Sequence, residues 1–258
     1  MKREEFLQRA KKKVQHDLQR KDILIISAVR SVDDIDQAKS LLYERLLEWF
    51  KTNFPDVDLQ NEESMCKLIV DFGAKEYFEY SKLEETVGEK RATELLEQAQ
   101  ASYGASFDLA DRNAVSNLAK AVLSLIQTRA ELEQYISKES GALMKNMSYL
   151  TDPLLAARLL QTAGSLARLA SMPASTLQVM GAEKALFKHL RTGSKPPKHG
   201  IIFQSNLIRG APLKQRGKIA RALSTKLSIA AKADYFTQNF IAEKLKADLD
   251  ARLKEIRG

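Results

Sequence analysis

The chain has 258 residues, of which 44% are hydrophobic and 29% are charged, and its formal net charge is +8. Its single cysteine, Cys66, excludes an intrachain disulfide and a multi-cysteine zinc site, and no apolar run approaches the roughly 20 residues that a membrane span needs. Residues 1–150 hold 22 basic and 26 acidic side chains against 19 and 7 in residues 151–258, which indicates a near-neutral scaffold followed by a basic part with a polyanionic partner.

The N-terminal stretch, residues 2–20, is basic, and we predict that it is helical. Its lysine run, residues 11–13, is either a solvated face or a contact with RNA or a protein partner. No apolar signal region occurs here, so we expect a soluble protein in a reducing compartment.

A long helix is predicted over residues 22–54, ending before Pro55 because the residue that precedes a proline avoids the helical region. Apolar side chains recur at three- and four-residue spacing, which is the heptad pattern of a coiled coil, and Lys39 is the one interruption. The members of this stripe are Ala28, Val32, Ile35, Leu42, Leu46 and Trp49.

A second long helix is predicted over residues 108–150, where six of seven heptad positions are apolar. The exception is Arg129, which we expect to extend to solvent or to contact a second chain. Between the two helices, residues 56–106 contain short helical pieces at 62–72 and 88–101, and Cys66 is expected there as a buried, inert thiol. The pattern predicts an antiparallel coiled-coil stalk, residues 22–150, with an inserted helical tip, residues 56–106.

A basic C-terminal domain is predicted over residues 151–258. A buried helix over residues 154–172 leads to a helix that starts at Pro173 and ends at Gly181, then to a short basic helix over residues 182–191. A loop stiffened by two prolines follows at residues 194–200, then a long helix over residues 212–236 and a charged helical tail over residues 238–258. No strand pattern occurs, so the predicted fold class is all-α.

Cations cluster in this domain. Residues 183–232 hold 12 Lys and Arg side chains and one acidic residue, Glu183. The clusters are Lys184, Lys188 and Arg191 on the short helix, Lys195 and Lys198 in the loop, and Lys214, Lys218 and Arg221 on one face of the long helix. Aromatic residues are sparse here, so structured RNA recognised by phosphate and shape fits better than stacked single strands.

The sequence gives little support for catalysis. The three histidines, His16, His189 and His199, lack metal-ligand spacing, and no glycine-rich phosphate loop is present. Glu183 and His189 fall on different faces of one helix and do not form an acid/base pair. We therefore expect a non-enzymatic protein with no catalytic residue, no metal site and no cofactor.

Three separated motifs carry a family resemblance: GAEKALF at residues 181–187, PPKHG at 196–200 and RGKIARAL at 216–223. In this order and in an all-helical context they resemble the Nop domain. That domain occurs in the archaeal box C/D guide-RNA core protein, in its two eukaryotic nucleolar counterparts and in a more distant splicing factor. The similarity runs from about residue 22 to residue 236.

The resemblance implies a cytoplasmic archaeal scaffold of a box C/D guide-RNA ribonucleoprotein, which directs RNA 2′-O-methylation. The basic domain would bind a composite surface made by a kink-turn RNA and a ribosomal-protein-like kink-turn binder, and the stalk would form a homodimer through its tip. The resemblance and the basic faces together give the candidate RNA- and RNP-binding residues: Gly181, Ala182, Glu183, Lys184, Lys188, Arg191, Pro197, Lys198, His199, Gly200, Lys214, Arg216, Lys218 and Arg221.

Family members also hold the methyltransferase fibrillarin through an N-terminal globular domain. Only some 20 residues precede the first long helix here, so we expect that domain to be absent or reduced to residues 1–21. Fibrillarin would then be bound by that segment and the stalk base, or be bound more weakly. The lack of a lysine-rich C-terminal tail favours an archaeal scaffold over a nucleolar one. The alternative function is a protein that binds or modifies RNA without partners.

Overall fold

The computed structural model describes residues 20–257, and within this range the secondary structure is helical, with no strand. The predicted all-α fold class is confirmed. The N-terminal segment that we predicted to be helical, with its lysine run and His16, lies outside the described residues, except for Arg20. Packing divides the chain into two units: a hairpin unit, residues 32–131, and a head unit made by residues 20–31 and 132–257.

Two long helices, α1 (Lys21–Asn53) and α5 (Leu109–Leu143), contribute to both units. Between them lie α2 (Glu62–Phe72), a 3-10 turn (Lys75–Tyr77), α3 (Tyr80–Val87) and α4 (Glu89–Ala101). The predicted pieces at 62–72 and 88–101 correspond to α2 and α4. Helix α3, which follows the extended residue Glu79, is an addition that the sequence pattern did not predict.

In the hairpin unit α1 and α5 run in opposite directions, since Asp36 pairs with Arg129 at one end and Asn53 bonds the Ala105 carbonyl at the other. The two polar interruptions of the heptad stripes are both paired. Lys39 forms an ion pair with Glu62, and Arg129 Nε donates to Asp36 Oδ1 at 2.6 Å. Arg129 is therefore bound within its own chain. Coiled-coil packing of the two helices stays a prediction.

The aromatic core of the hairpin unit corrects the predicted stripe of α1. Trp49 was assigned to the seam, yet it is 40% exposed, whereas Phe50 and Phe54 are fully buried. The reason is that the buried stripe advances by four residues from Leu46 to Phe50 and Phe54 as α1 reaches the inserted helices. There Phe54 meets the ring of Phe78 edge-on, with 5.7 Å between centroids.

The second long helix is shorter than predicted. Helix α5 ends at Leu143, the buried Met144 leaves helical geometry (φ −123°, ψ 58°), and α6 (Lys145–Leu150) starts anew. The cause is a distant cap: the buried carboxylate of Asp234 accepts from the backbone N–H groups of Asn146 (2.9 Å) and Met147 (3.0 Å). These bonds satisfy the free donors at the start of α6 and separate it from α5.

The head unit continues with α7 (Pro153–Ala163), α8 (Leu166–Ser171), α9 (Ala174–Val179) and α10 (Glu183–Thr192). A 3-10 turn (Ile201–Gln204), α11 (Asn206–Arg209), α12 (Leu213–Lys232), a π turn (Ala233–Thr237) and α13 (Ala242–Arg257) complete it. The single helix predicted over residues 154–172 is wrong, because Gly164 takes a left-handed conformation (φ 86°) and Ser165 caps a second helix.

Helix α12 is central to the head unit and places its apolar face, which includes Ile219, Leu223 and Leu227, in the core. The C-terminal segment, predicted to be a charged tail, is instead part of that core. Leu249 of α13 is fully buried, Leu245 and Leu253 are nearly so, and α13 packs on α12. Charged residues dominate the sequence of α13, and the leucines at four-residue spacing were the signal for its buried face.

Candidate nucleic-acid interface

Helix α12 presents a row of cations on a rigid support. Lys214, Lys218 and Arg221 follow one another at four- and three-residue spacing and are all exposed. Because the opposite face of the helix is buried in the core, the direction of these side chains is set by packing.

The proline loop, residues 194–200, is tied to the end of α9. Gln178 donates its side-chain Nε2 to the carbonyl of Lys198 (2.8 Å) and accepts from the Gly200 N–H at its own carbonyl (2.9 Å). The Ile201 N–H donates to the Met180 carbonyl at 2.8 Å. A Cβ at Gly200 would lie 1.9 Å from the Met180 oxygen, so only glycine permits this close approach.

The loop also lies against α12. A Cβ built on Gly217 would lie 3.5–3.7 Å from three carbons of the Lys198 side chain, which is van der Waals contact. Between loop and helix is a groove of about 410 Å³, here called the cationic groove, lined by Gln178, Lys195, Pro196, Pro197, Lys198, Lys214, Gly217, Lys218 and Arg221. Five of these described residues are cations and none is acidic, so two of the three predicted clusters meet on one surface.

His199 faces the framework of the head unit. Its ring stacks on Phe203, with 4.7 Å between centroids and 15° between planes, and the Arg216 guanidinium lies 5.3 Å from the same ring. Burial, followed by the charges of Arg216 and Lys198, lowers the pKa of His199 below its ordinary 6.5. His199 is therefore neutral at pH 7 and adds no charge to the groove.

Arg216, one of the predicted binding residues, holds the turn that precedes α12. Its Nε donates to the Ala211 carbonyl at 2.8 Å and its Nη2 to the Arg209 carbonyl at 3.2 Å. With its guanidinium also beside Phe203, Arg216 fixes the segment from which the cations of α12 start.

Glu183 is the first residue of α10 and accepts a local hydrogen bond. Its carboxylate accepts from the Gly181 N–H at 2.7 Å, at the helix end where a negative charge is favourable. Gly181 itself has a positive φ of 82°, and a Cβ there would lie 2.4 Å from Ile201 Cγ1. Within residues 20–257 Glu183 forms no ion pair with a lysine, although it is surrounded by cations in the sequence. The neighbouring Ala182 stands at the N-cap position.

Helix α10 has no buried residue. Its predicted cations, Lys184, Lys188 and Arg191, are exposed and are not among the residues that line the cationic groove. Sequence reasoning missed its apolar side chains: Phe187 is 68% exposed and Leu190 is 71% exposed. Their three-residue spacing is typical of a core-facing stripe, yet both side chains are exposed.

Within the described range no group of three or more His, Cys, Asp or Glu side chains could hold a metal ion. The helices of residues 20–257 include none that is long and apolar enough to cross a membrane.

A rigid cationic helix, a stiff basic loop across it and an exposed amphipathic helix define an all-helical binding protein with a surface for a polyanion. Residues 31–255 match the family model Nop, described as "snoRNA binding domain, fibrillarin". The match covers more than half of the chain, and the chain belongs to the Nop family. The resemblance drawn from the three motifs is confirmed.

Similar proteins come from archaea and eukaryotes. An uncharacterized NOP5 family protein of Methanocaldococcus jannaschii is 42% identical over 249 residues, covering 96% of this chain and 60% of the relative. Nucleolar protein 56 of Homo sapiens is 32% identical over 250 residues, covering 93% of this chain and 42% of the relative. The chain therefore spans about half the length of these relatives.

Similarity extends to a solved structure described as a crystal structure of a fibrillarin/Nop5p complex. The TM-score is 0.59 with 27% sequence identity, over 99% of this chain and 77% of that chain. The similarity covers nearly all of this chain, including the residues of both packing units.

Proposed function

We propose that this protein is a scaffold of a box C/D guide-RNA ribonucleoprotein that directs RNA 2′-O-methylation. Membership of the Nop family supports the assembly, and the fibrillarin/Nop5p complex supports a methyltransferase partner. The observation in this chain that carries the proposal is the cationic groove, where five cations from two elements meet without a carboxylate. An archaeal relative supports a cytoplasmic location in an archaeon.

The cationic groove binds the phosphate backbone of a structured RNA. Lys195 and Lys198 from the loop face Lys214, Lys218 and Arg221 from α12, and each phosphate they neutralise releases counterions. Phosphate contacts of this kind set position and carry little sequence information, so a second recognition element is required for specificity.

Helix α10 supplies that second element. Its cations face solvent beside two exposed apolar side chains, Phe187 and Leu190, and burying these against RNA phosphate would not be favourable. A protein partner with an apolar patch would bury them, and such anchors carry much of the binding energy of an interface. We therefore assign α10 to the contact with a ribosomal-protein-like kink-turn binder, with the loop residues Pro197, Lys198, His199 and Gly200 against the RNA stem.

The hairpin unit provides the remaining contacts. We propose a homodimer through the tip, where Tyr77, Tyr80 and Tyr103 are 46%, 43% and 83% exposed. We further propose that residues 1–54 contact fibrillarin, and that residues 22–150 act as the stalk and residues 151–258 as the Nop domain.

Stepwise reconstitution tests the proposal. Kink-turn RNA, the kink-turn binder and fibrillarin are added one at a time to the full chain, and binding is followed by native gel shift. We expect weak binding to RNA alone, tight binding to RNA with the kink-turn binder, and methyl transfer only after fibrillarin is added. Methyl transfer from S-adenosylmethionine by the chain alone would instead support the partner-independent alternative.

Variants separate the two recognition elements. Phe187→Ser should weaken binding to the composite and leave binding to RNA alone unchanged. Lys214→Gln should weaken binding to the composite and to RNA alone, and it should reduce the salt dependence of RNA binding. Lys232→Gln, an equal charge change on an exposed residue outside the cationic groove, should do neither.

Glu183→Ala and the Lys198→Ala/His199→Ala double change should prevent assembly on the composite with little effect on non-specific RNA binding. If all give the same modest, salt-dependent loss, the head is only a basic surface.

A further inference from the structure

A second groove adjoins the cationic groove on the other side of the α12 cations. It measures about 600 Å³ and lies between α12 and α13, lined by Lys218, Arg221, Ala222, Thr225, Lys226, Asp248, Leu249, Arg252, Glu255 and Ile256. Lys218 and Arg221 line both grooves, so they form a ridge between them. A polyanion held at this ridge has a path into either groove.

The far wall of the second groove is rigid. Helix α13 is anchored on α12 through Leu245, Leu249 and Leu253, which are at most 6% exposed. Arg252 neighbours one of these anchors and projects from a helix that packing holds in place. A side chain presented from a fixed helix loses less conformational freedom on binding than one presented from a loop.

The carboxylates that line this groove are already paired. Asp248 accepts from Lys226 Nζ at 2.9 Å, and Lys226 lowers the pKa of Asp248 below its ordinary 3.8. Glu255 pairs with Arg252, and both side chains are 62% exposed. Lys218 and Arg221 form no ion pair within residues 20–257, so the groove keeps an excess of positive charge.

The Arg252–Glu255 pair is a contact that a phosphate can replace. An exposed ion pair contributes little to stability, because water screens it and two long side chains must be ordered. A phosphate offers the same charge with more acceptor oxygens, in a geometry that a guanidinium matches with two hydrogen bonds. A phosphate can therefore take the position of the Glu255 carboxylate beside Arg252.

We propose that the RNA backbone continues from the cationic groove over α12 into the second groove, where Arg252 binds a phosphate in place of Glu255. This inference rests on the proposed function and extends the RNA path onto the C-terminal helix. A peptide is a poorer occupant, since the apolar floor includes the fully buried Leu249 and offers few exposed anchors.

Two charge-matched pairs of variants in the full chain test the path. Arg252→Gln is compared with Lys254→Gln, and Glu255→Gln with Glu243→Gln. Each pair makes the same charge change on exposed residues of α13, and only the first member of each lines the groove. Affinity is measured by fluorescence anisotropy over a range of salt, with a short kink-turn RNA and with the same RNA carrying an extended stem.

On the extended RNA we expect Arg252→Gln to weaken binding several-fold and to lower the salt slope by about 0.7 to 0.9, with Lys254→Gln near wild type. Glu255→Gln should tighten binding by freeing Arg252, while Glu243→Gln should not. A gain of affinity cannot come from misfolding, which keeps the test decisive if Arg252→Gln proves unstable.

The proposal is overturned if groove and control variants behave alike on the extended RNA, or if Arg252→Gln weakens the short and extended RNAs equally. In either case the proposed function still stands, provided that wild-type protein binds RNA and Lys214→Gln weakens that binding. If the wild-type protein does not bind RNA, the proposed function itself is refuted.

Discussion

Replacing Gly200 by alanine tests whether the proline loop is held in a single position. A Cβ at this position would lie 1.9 Å from the Met180 oxygen and 2.8 Å from backbone carbons of Met180 and Val179. These atoms belong to the main chain, so no side-chain rotation relieves the clash. The loop must move away from the end of α9.

That movement breaks two backbone hydrogen bonds, from the Gly200 N–H to the Gln178 carbonyl and from the Ile201 N–H to the Met180 carbonyl. Each contributes about 0.5–1.5 kcal/mol net, so the free energy of unfolding should fall by about 1–3 kcal/mol. For a chain of this size, roughly 2–4 °C of Tm accompanies each kcal/mol, giving a fall of about 2–12 °C. Lys198 would leave its contact with Gly217, and assembly on the composite should weaken more than non-specific RNA binding.

Thermal denaturation followed by circular dichroism measures the stability change, and gel shift measures assembly. The control is Gly141→Ala, where a Cβ meets nothing within 4 Å and alanine in α5 should stabilise by about 0.5–1 kcal/mol. If Gly200→Ala melts and assembles like the wild type, the proline loop is not held in a single position by its contact with Met180.

Three further substitutions or treatments have defined outcomes. Asn53→Ala should lower the free energy of unfolding, measured in urea, by about 2–5 kcal/mol. The fully buried amide of Asn53 donates to the Ala105 carbonyl and accepts from the Lys75 N–H, and both groups would lose their partner. A change below about 1 kcal/mol would contradict this. Burial raises the pKa of Asp234 above its ordinary 3.8, so its contribution to stability is fully present below pH 3.8 and declines as the pH rises through the raised value. The difference in the free energy of unfolding between the wild type and Asp234→Asn should therefore change with pH in this window, and a difference that is independent of pH refutes the assignment. Burial raises the pKa of the Cys66 thiol to about 12, so a thiol reagent at pH 8 should label it slowly until urea is added, and rapid labelling of the folded protein would refute its burial.

Much of the candidate site followed from local sequence rules. The spacing of Lys214, Lys218 and Arg221 placed them on one helix face, and that face is exposed. The two prolines predicted a stiff loop, but the close approach of Gly200 to the Met180 carbonyl at its end was not predicted. The contact of Lys198 in this loop with Gly217 of α12 was beyond the sequence, because 19 residues separate the two positions and no periodicity connects them.

Two other features that the sequence did not predict also depend on contacts between distant residues. Phe187 and Leu190 carry the pattern of a core face, and only the absence of a packing partner in the head unit leaves them exposed. Arg129 lies at a seam position, and its partner Asp36 is 93 residues away. The pattern of apolar and charged residues along one helix does not identify the element that packs against that helix.

The sequence by itself determined the helical content, the end of the first long helix before Pro55, and the separation of a near-neutral part from a basic one. These depend on the backbone preferences of single residues and on side chains three or four positions apart. Tertiary structure alone decided the break at Met144, imposed by a carboxylate 88 residues away from Asn146, and the two grooves that meet on α12. Such features arise where distant elements satisfy the same backbone donors or exclude water from the same face, and those energies exist only after the chain has folded.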